Sequence, residues 1–161
     1  MARDAKEIKK DRLLYTKNKF SANLIYLGIL FGVLYFVKIY QQDVENYYYS
    51  IMIGFSVVCN LVFLLIAFLS SEGLKNYKLG YGVTVIVIGL VQIARIFGIP
   101  TMAHKATVMI NEVETTVMSD GDYNYCVIML LLSAAACIIA GVVGIYKSVT
   151  LNNYKNEKGL E

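Results

Sequence analysis

A long run without a charged side chain, residues 46–71, most constrains what this chain can fold into. Asp43 and Glu45 precede the run and Glu72 follows it, so acidic residues border both of its ends. An α-helix rises about 1.5 Å per residue, and about 20 apolar residues cross a hydrocarbon core about 30 Å thick. The run therefore predicts a membrane-spanning helix, and every other segment must be placed relative to a bilayer.

The rest of the composition agrees with a membrane protein. Of the 161 residues, 57% are hydrophobic and 17% are charged, whereas soluble domains usually have about 25% charged residues. The charges lie between long apolar runs, no Gly/Ser-rich linker divides the chain, and Pro100 is its only proline. These features predict a single membrane domain over residues 1–161.

Four apolar runs are long enough to cross a bilayer as helices. A basic segment precedes the first run and resembles the start of a signal peptide. However, the run exceeds the roughly 7 to 15 apolar residues of a signal peptide, and no Ala-x-Ala-like site follows it. We therefore expect an uncleaved first span. The sequence predicts an all-α fold, an integral membrane four-helix bundle with transmembrane helices at about 21–40, 47–69, 79–99 and 123–146.

The positions of lysine and arginine predict how the spans are oriented. Twelve of the fifteen lie before the first span, between the second and third, or after the fourth. Because an excess of Lys and Arg marks cytoplasmic loops, both the N-terminus and the C-terminus are expected in the cytoplasm. The net charge is +3, but the basic residues flank the apolar segments and form no separate basic patch. No nucleic acid partner is therefore predicted. The abundance of Lys, Asn, Ile and Tyr favours a bacterial cytoplasmic membrane.

The segment between the third and fourth spans, residues 101–124, is the only long connection. Residues 106–110 and 113–118 are rich in β-branched side chains that alternate in part with other types. This pattern predicts an extracytoplasmic β-hairpin with Asn111 and Glu112 at its turn.

Local signals also predict where helices end. Gly73 is expected as the C-cap of the second span, and Pro100 is expected to end the third span because proline cannot continue the hydrogen-bond ladder. The tail 147–161 is polar and rich in Asn and Lys, and we expect it to be frayed.

Polar side chains inside the predicted spans form a candidate intramembrane cluster: Ser56, Asn60, Gln92 and Arg95. Ser56 and Asn60 are four residues apart and so share one face of the second span, and Gln92 is expected at a similar depth on the third. Interhelical hydrogen bonds that hold the bundle together are the favoured interpretation. A path for a polar solute is the alternative.

Arg95 is the most informative single residue, because a charge inside a span is costly and marks a functional candidate by default. It lies about one turn before Pro100, which predicts that its side chain snorkels to the outer interface. Snorkelling with local pairing is the favoured interpretation. The alternative is that Arg95 and Lys38 face an outer vestibule and bind an anionic group. Four carboxylates are available as local partners: Asp43, Glu45, Glu112 and Glu114.

Small residues recur at helical spacing in two spans. Candidate helix-packing faces comprise Gly28 and Gly32 in the first span and Ala136, Ala140 and Gly144 in the fourth. Such residues let helices approach closely in a bilayer. Packing within the same chain is favoured over packing against another protein.

The sequence carries no recognisable reaction chemistry. G-x-S-x-G, H-E-x-x-H and P-loop motifs are absent, and His104 is the only histidine. Cys59, Cys126 and Cys137 form no C-x-x-C motif and are expected as structural thiols. No catalytic, metal or cofactor site is therefore predicted. The predicted spans hold no Asp or Glu, which disfavours a proton-coupled carrier.

The favoured function is that of a non-enzymatic accessory or stabilising subunit of a larger membrane complex, in transport or in the cell envelope. Small-residue faces and ordinary polar contacts are typical of a protein that works by contact. Besides the lipid bilayer, the expected partner is another membrane protein, or the chain itself as a homo-oligomer. The alternative is an oligomeric channel or small carrier for a polar or anionic solute, with the polar cluster along its path.

Overall fold

The computed structural model of this chain describes residues 5–41, 47–110 and 113–159. These residues form six helices and a two-stranded sheet. The helices are α1 (Ala5–Tyr15), α2 (Lys19–Tyr40), α3 (Tyr47–Lys75), α4 (Leu79–Ile96), α5 (Ile99–Lys105) and α6 (Asp120–Lys158). The strands are β1 (Thr107–Ile110) and β2 (Val113–Thr116).

Four helical segments among the described residues are long and apolar enough to cross a membrane, which confirms the predicted membrane class and number of spans. They are α2, α3, α4 together with α5, and α6, and the mean hydropathy of their most apolar stretches lies between 2.0 and 2.8. The chain is therefore a membrane protein with an all-helical spanning part. A single domain over the whole chain stays a prediction.

The four long helices pack in a ring in which each contacts its neighbour in the chain and α6 closes onto α2. Lys38 near the end of α2 pairs with Asp122 near the start of α6 at 2.7 Å, so these two helices run antiparallel. Contacts are densest where α6 meets α2 and α4. Helix α3 packs more sparsely against α2 and α4 and scarcely touches α6, so it is the most loosely held helix of the ring.

Glycines permit the close approach of α4 and α6. A Cβ atom added at Gly82 would lie 2.6 Å from Cγ1 of Ile145, and one added at Gly141 would lie 2.9 Å from the carbonyl oxygen of Gly82. At Gly89 an added Cβ would lie 2.7 Å from Cγ1 of Ile138. Because these positions lack side chains, the two backbones reach the van der Waals contact that holds helices together in lipid.

Helix α4 ends earlier than the predicted third span, although the spanning segment continues through α5 to Lys105. Helix α4 stops at Ile96, Phe97 and Gly98 form a break, and Pro100 lies in the first turn of α5. Proline is tolerated there because its missing N–H would have no intrahelical acceptor in the first turn. The prediction that Pro100 ends a helix is therefore wrong, since it starts one.

Gly73 is not the C-cap of α3, so this prediction is also wrong. The helix continues to Lys75, and a Cβ added at Gly73 would lie 2.2 Å from the Tyr81 ring. Gly73 thus makes room for an aromatic side chain of the next helix. The residue with a left-handed backbone after α3 is Tyr77, with a φ of 59°.

The polar tail is helical rather than frayed. Helix α6 continues to Lys158, and Gly159, with a φ of 62°, caps it in the left-handed conformation. Helix α1 packs against this end of α6, and the hydroxyl of Tyr154 donates a hydrogen bond to the Asp11 carboxylate. The prediction of fraying is wrong because α1 supplies the second surface on which this polar helix packs.

Asn18 joins several segments at this end of the bundle. Its side chain is buried, donates to Ser21 Oγ at 2.9 Å and accepts a hydrogen bond from Lys147 Nζ at 3.0 Å. Its backbone N–H donates to the carbonyl oxygen of Lys75 at 3.0 Å. One residue thereby connects the start of α2 with the end of α3 and with α6.

Strands β1 and β2 pair antiparallel, with Thr107 opposite Thr116 and Ile110 opposite Val113. The predicted turn residues Asn111 and Glu112 lie outside the described residues. The location of this segment on the outer side of the membrane stays a prediction.

Candidate functional site

Arg95 in the last turn of α4 is the centre of the candidate site. Its Nη1 atom donates hydrogen bonds to Asn60 Oδ1 at 3.0 Å and to Gln92 Oε1 at 2.9 Å. Helical side chains point back toward the N-terminus of their helix, and this tilt brings the guanidinium level with Gln92, one turn earlier. The structure therefore brings three of the four predicted cluster residues into direct contact between α3 and α4.

The cluster lies at the depth of the middle of α3. Asn60 is the fourteenth of the 29 residues of that helix. At about 1.5 Å per residue, it is about 20 Å from the first residue of α3. The prediction that Arg95 snorkels to the outer interface is wrong, because Asn60 and Gln92 hold the guanidinium turned inward.

The positive charge of Arg95 has no carboxylate partner in the part of the chain that the structure describes. Its Nη2 atom is buried and donates to no hydrogen-bond acceptor among the described residues. Three of the predicted partners, Asp43, Glu45 and Glu112, lie outside those residues, as does the side chain of Glu114. The Arg95 guanidinium thus lies level with the middle of α3 and contacts only neutral groups among the described residues. This is the main electrostatic feature of the site.

Two aromatic rings flank the guanidinium. The Cζ atom of Arg95 lies 4.9 Å from the centroid of the Tyr35 ring and 5.8 Å from that of Phe63. A cation over a ring is stabilised by about 0.5 to 2 kcal/mol, depending on how far it is desolvated. The rings therefore offset part of the cost of removing Arg95 from water, but they supply no negative charge.

A chain of hydrogen bonds extends from Gln92 across the bundle. The Nε2 atom of Gln92 lies 3.5 Å from Ser133 Oγ in α6, and this hydroxyl donates to the carbonyl oxygen of Gly28 in α2 at 2.8 Å. The polar network thus includes all four spanning helices. Sequence reasoning did not assign Ser133 to the cluster, although its place four residues before Cys137 on the small-residue side of the fourth span was a usable signal.

Ser56 is linked to this network through Tyr35, whose hydroxyl lies within hydrogen-bonding reach of both Ser56 and Arg95. It is 8% exposed and lies beside the Tyr35 hydroxyl, one turn from Asn60 along α3. The sequence predicted Ser56 at the depth of Gln92, but Arg95 instead connects Gln92 with Asn60. Tyr35 is a member of the site that sequence reasoning missed, because nothing in the sequence distinguishes it from interfacial tyrosines.

Two cavities adjoin the cluster and differ greatly in size. The cavity between Asn60, Gln92 and Ser133 has a volume of about 10 Å³, which is at the lower limit for a single water molecule. A groove of about 570 Å³ lies on the other side of Phe63, between α3 and α4, and Arg95 forms part of its wall. The other residues along this groove are almost all apolar: Tyr35, Ile51, Met52, Phe55, Ser56, Cys59, Phe63, Val91, Gly98 and Ile99.

The residues of the predicted packing faces lie inside the bundle. A Cβ added at Gly28 would lie 2.9 Å from Cys137 Sγ, and one added at Gly32 would lie 3.7 Å from Gln92 Nε2. Ala136 and Ala140 are buried, and Gly144 packs against the Leu74 side chain. These small residues serve contacts within the chain.

Lys38, the second cation of the predicted vestibule, belongs to another cluster. It pairs with Asp122, and near it the His104 ring stacks on Tyr123 with centroids 4.5 Å apart. His104 Nε2 also lies 3.7 Å from Asp120 Oδ1. Lys38 is thus neutralised locally, whereas Arg95 has no carboxylate partner among the described residues, and an anion site shared by the two cations stays a prediction.

No protein-family model, no curated protein and no solved structure matches this chain. The site itself must therefore support any functional assignment. Its chemistry is that of a fixed positive charge between neutral amides and aromatic rings, beside an apolar groove that includes the exposed side chains of Ile51 and Phe55.

Proposed function

We propose that this protein is a non-enzymatic accessory or stabilising subunit of a larger membrane complex, and that it works by contact with another membrane protein. The observation that carries the proposal is that the polar side chains inside the spans bond to one another around a cavity of only about 10 Å³. These side chains act as interhelical contacts, and the space between Asn60, Gln92 and Ser133 holds no more than about one water molecule.

The exposure of α3 supports a contact function. Only 11% of its most apolar stretch is buried within the chain, compared with 44% for α6. Large side chains such as Phe55, Val58 and Leu65 project from it and are 71%, 59% and 64% exposed. A spanning helix that contributes this little to its own bundle has a broad face available for a partner.

Site-specific photo-crosslinking in native membranes tests this proposal. We expect benzoylphenylalanine in place of Phe55 to crosslink to one defined membrane polypeptide at high yield. The matched control is the same residue in place of Val142, which is 54% exposed on α6, and it should give lipid adducts alone. Lipid adducts alone from both positions, together with purification of the chain by itself, would contradict the proposal.

We further propose that both termini lie in the cytoplasm, in a bacterial cytoplasmic membrane. The charge distribution supports this orientation, because twelve of the fifteen Lys and Arg residues lie on one side of the spans. In intact cells, Asp120→Cys should react with an impermeant thiol reagent, whereas Asn153→Cys should react only after permeabilisation. The reverse pattern would show that the charge count misassigns the sides.

An oligomeric channel or small carrier is the alternative. It requires a solute path between copies of the chain, since Ser56, Asn60, Gln92 and Arg95 do not surround one continuous cavity within the described part. Purified protein in liposomes should therefore release no entrapped chloride or glycerol. A flux that Arg95→Leu abolishes would favour the channel over the accessory subunit.

A further inference from the structure

We infer that the groove between α3 and α4 receives a transmembrane helix of the partner, and that an aspartate or glutamate in the middle of this helix pairs with Arg95. The inference rests on the proposed contact function and specifies the chemistry of the contact. It follows from the charge of Arg95, from its depth and from the apolar lining of the groove beside it.

The charge of Arg95 requires a counter-charge from outside the described part of the chain. Ionisable residues within spanning segments pair with one another or with backbone carbonyls, because a lone charge in hydrocarbon is costly. Arg95 has two amide oxygens and two aromatic rings, but no described carboxylate. Its Nη2 atom also lacks a described acceptor. A carboxylate supplies both the missing charge and an acceptor that matches the planar guanidinium.

The depth of Arg95 distinguishes a protein carboxylate from a lipid headgroup. The guanidinium lies level with Asn60, near the middle of a 29-residue helix. This depth is about 20 Å below the start of α3, whereas the hydrocarbon core is only about 30 Å thick. The phosphate of an anionic lipid stays in the hydrated interface, well above this level. A side chain on a spanning helix is carried to the required depth by the helix itself.

The groove has a lining that suits the apolar side chains of such a helix, and its volume of about 570 Å³ accommodates several of them. It is apolar, it lies between the two most sparsely packed neighbours of the ring, and Arg95 is the charged residue in its wall. Phe55, which is 71% exposed, and Ile51, which is 55% exposed, form the α3 side of its opening. Apolar side chains of a partner would pack in the groove and place one acid beside the guanidinium.

A model helix in vesicles tests the inference with the intact chain. The probe is a synthetic spanning peptide of leucine and alanine with one central glutamate, and its matched controls carry glutamine or leucine at that position. Association is measured by energy transfer to the protein, fused to a fluorescent protein after Glu161, in phosphatidylcholine vesicles. We expect the glutamate peptide to associate at least about tenfold more tightly than the glutamine peptide.

Three comparisons locate this preference at Arg95. Arg95→Leu should abolish the difference between the glutamate and glutamine peptides, whereas Lys38→Gln, which removes the cation already paired with Asp122, should preserve it. Moving the glutamate seven residues along the peptide, about 10 Å, should also abolish the difference. The last comparison leaves the protein unchanged, so a folding defect cannot produce it.

Three results with the model peptide would overturn the inference. The first is equal association of the glutamate and glutamine peptides with the unchanged protein, and the second is a preference that persists in Arg95→Leu. The third is displacement of the glutamate peptide by phosphatidylglycerol in an Arg95-dependent manner, which would assign the site to an anionic lipid. If the partner crosslinked from position 55 is retained in Arg95→Leu, the accessory function stands and the acid pairing fails.

Discussion

The α4–α6 interface and the α3–α4 interface use opposite means of holding helices together. Between α4 and α6, glycines bring two backbones into contact, and no added methyl group fits at Gly82, Gly89 or Gly141 without displacing a neighbour. Between α3 and α4, a guanidinium bonds to the Asn60 amide oxygen beside a groove of about 570 Å³. The first interface is complete within the chain, whereas the second leaves both space and charge for another molecule.

The difference shows how a small membrane protein can separate stability from binding. Apolar surface gives no driving force between helices in lipid, so close packing of small residues must supply the stability. Most of this packing involves helix α6, whereas α3 makes few contacts within the bundle. The polar network crosses from one interface to the other through Gln92 and Ser133, so the site is connected to the most closely packed part of the bundle.

Filling the glycine interface should have the largest effect. Gly141→Val places a branched side chain against Ile86 and the carbonyl oxygen of Gly82, and overpacking of this kind costs about 3 kcal/mol or more when backbone must move. We expect a corresponding fall in the free energy of unfolding, measured by titration with sodium dodecyl sulfate in mixed micelles.

Gly54→Val is the matched control on α3. Nothing lies within 4 Å of a Cβ at Gly54, so the same substitution should leave the protein as stable as before, or slightly more so. Equal destabilisation at both positions would remove the contrast between the two interfaces.

Breaking the amide contact of Arg95 should have an intermediate effect. Asn60→Leu removes one of the two amide oxygens that accept hydrogen bonds from Nη1 of Arg95, and an unsatisfied buried polar group costs about 1 to 3 kcal/mol. Adding Arg95→Leu should recover much of the loss, because the second substitution removes the unsatisfied charge. The same detergent titration measures both variants.

Thr84→Val controls for loss of a polar group in a span. The Thr84 hydroxyl bonds to the Gly80 carbonyl oxygen of its own helix, so its removal should change stability by no more than about 0.5 kcal/mol. A double variant that is no more stable than Asn60→Leu would show that Arg95 and Asn60 are not coupled.

The smallest effect is expected outside both interfaces, where α1 meets the end of α6. Glu7 pairs with Lys158 at 3.0 Å, and both side chains are nearly half exposed. Water and salt screen such a pair. Glu7→Gln should therefore leave the detergent unfolding curve unchanged at 0.5 M sodium chloride, and a clear shift at that salt concentration would mean that α1 is essential to the bundle.

The spans were predictable because the hydrophobicity of about 20 consecutive residues is summed along each of them. A bilayer demands length and apolarity, and no single residue decides the outcome. The ends of the helices depend on single residues and their neighbours, and there the predictions for Gly73 and Pro100 were wrong. Gly73 is required by the Tyr81 ring, which comes from the next helix and leaves no local trace in the sequence.

The membership of the candidate site was predictable in part for a related reason. Asn60, Gln92 and Arg95 stand out because polar residues are rare in spans. The direction of the Arg95 side chain was not predictable, since it depends on which helix faces α4 and at what height. Tyr35 could not be identified either, because a tyrosine near the end of a span ordinarily marks the interface.

The contacts of Asn18 must form one after another as the chain is synthesised. Its contacts reach Lys75 and Lys147, and the second of these is 129 residues further along. At a synthesis rate of about 5 to 20 residues per second, the first helix waits on the order of 10 s for its last contact. Until Lys147 arrives, the Asn18 carboxamide has no partner from the fourth spanning helix. Closure of the ring is thus a late event, because the contact between Asn18 at the start of α2 and Lys147 in α6 can form only after α6 has been synthesised.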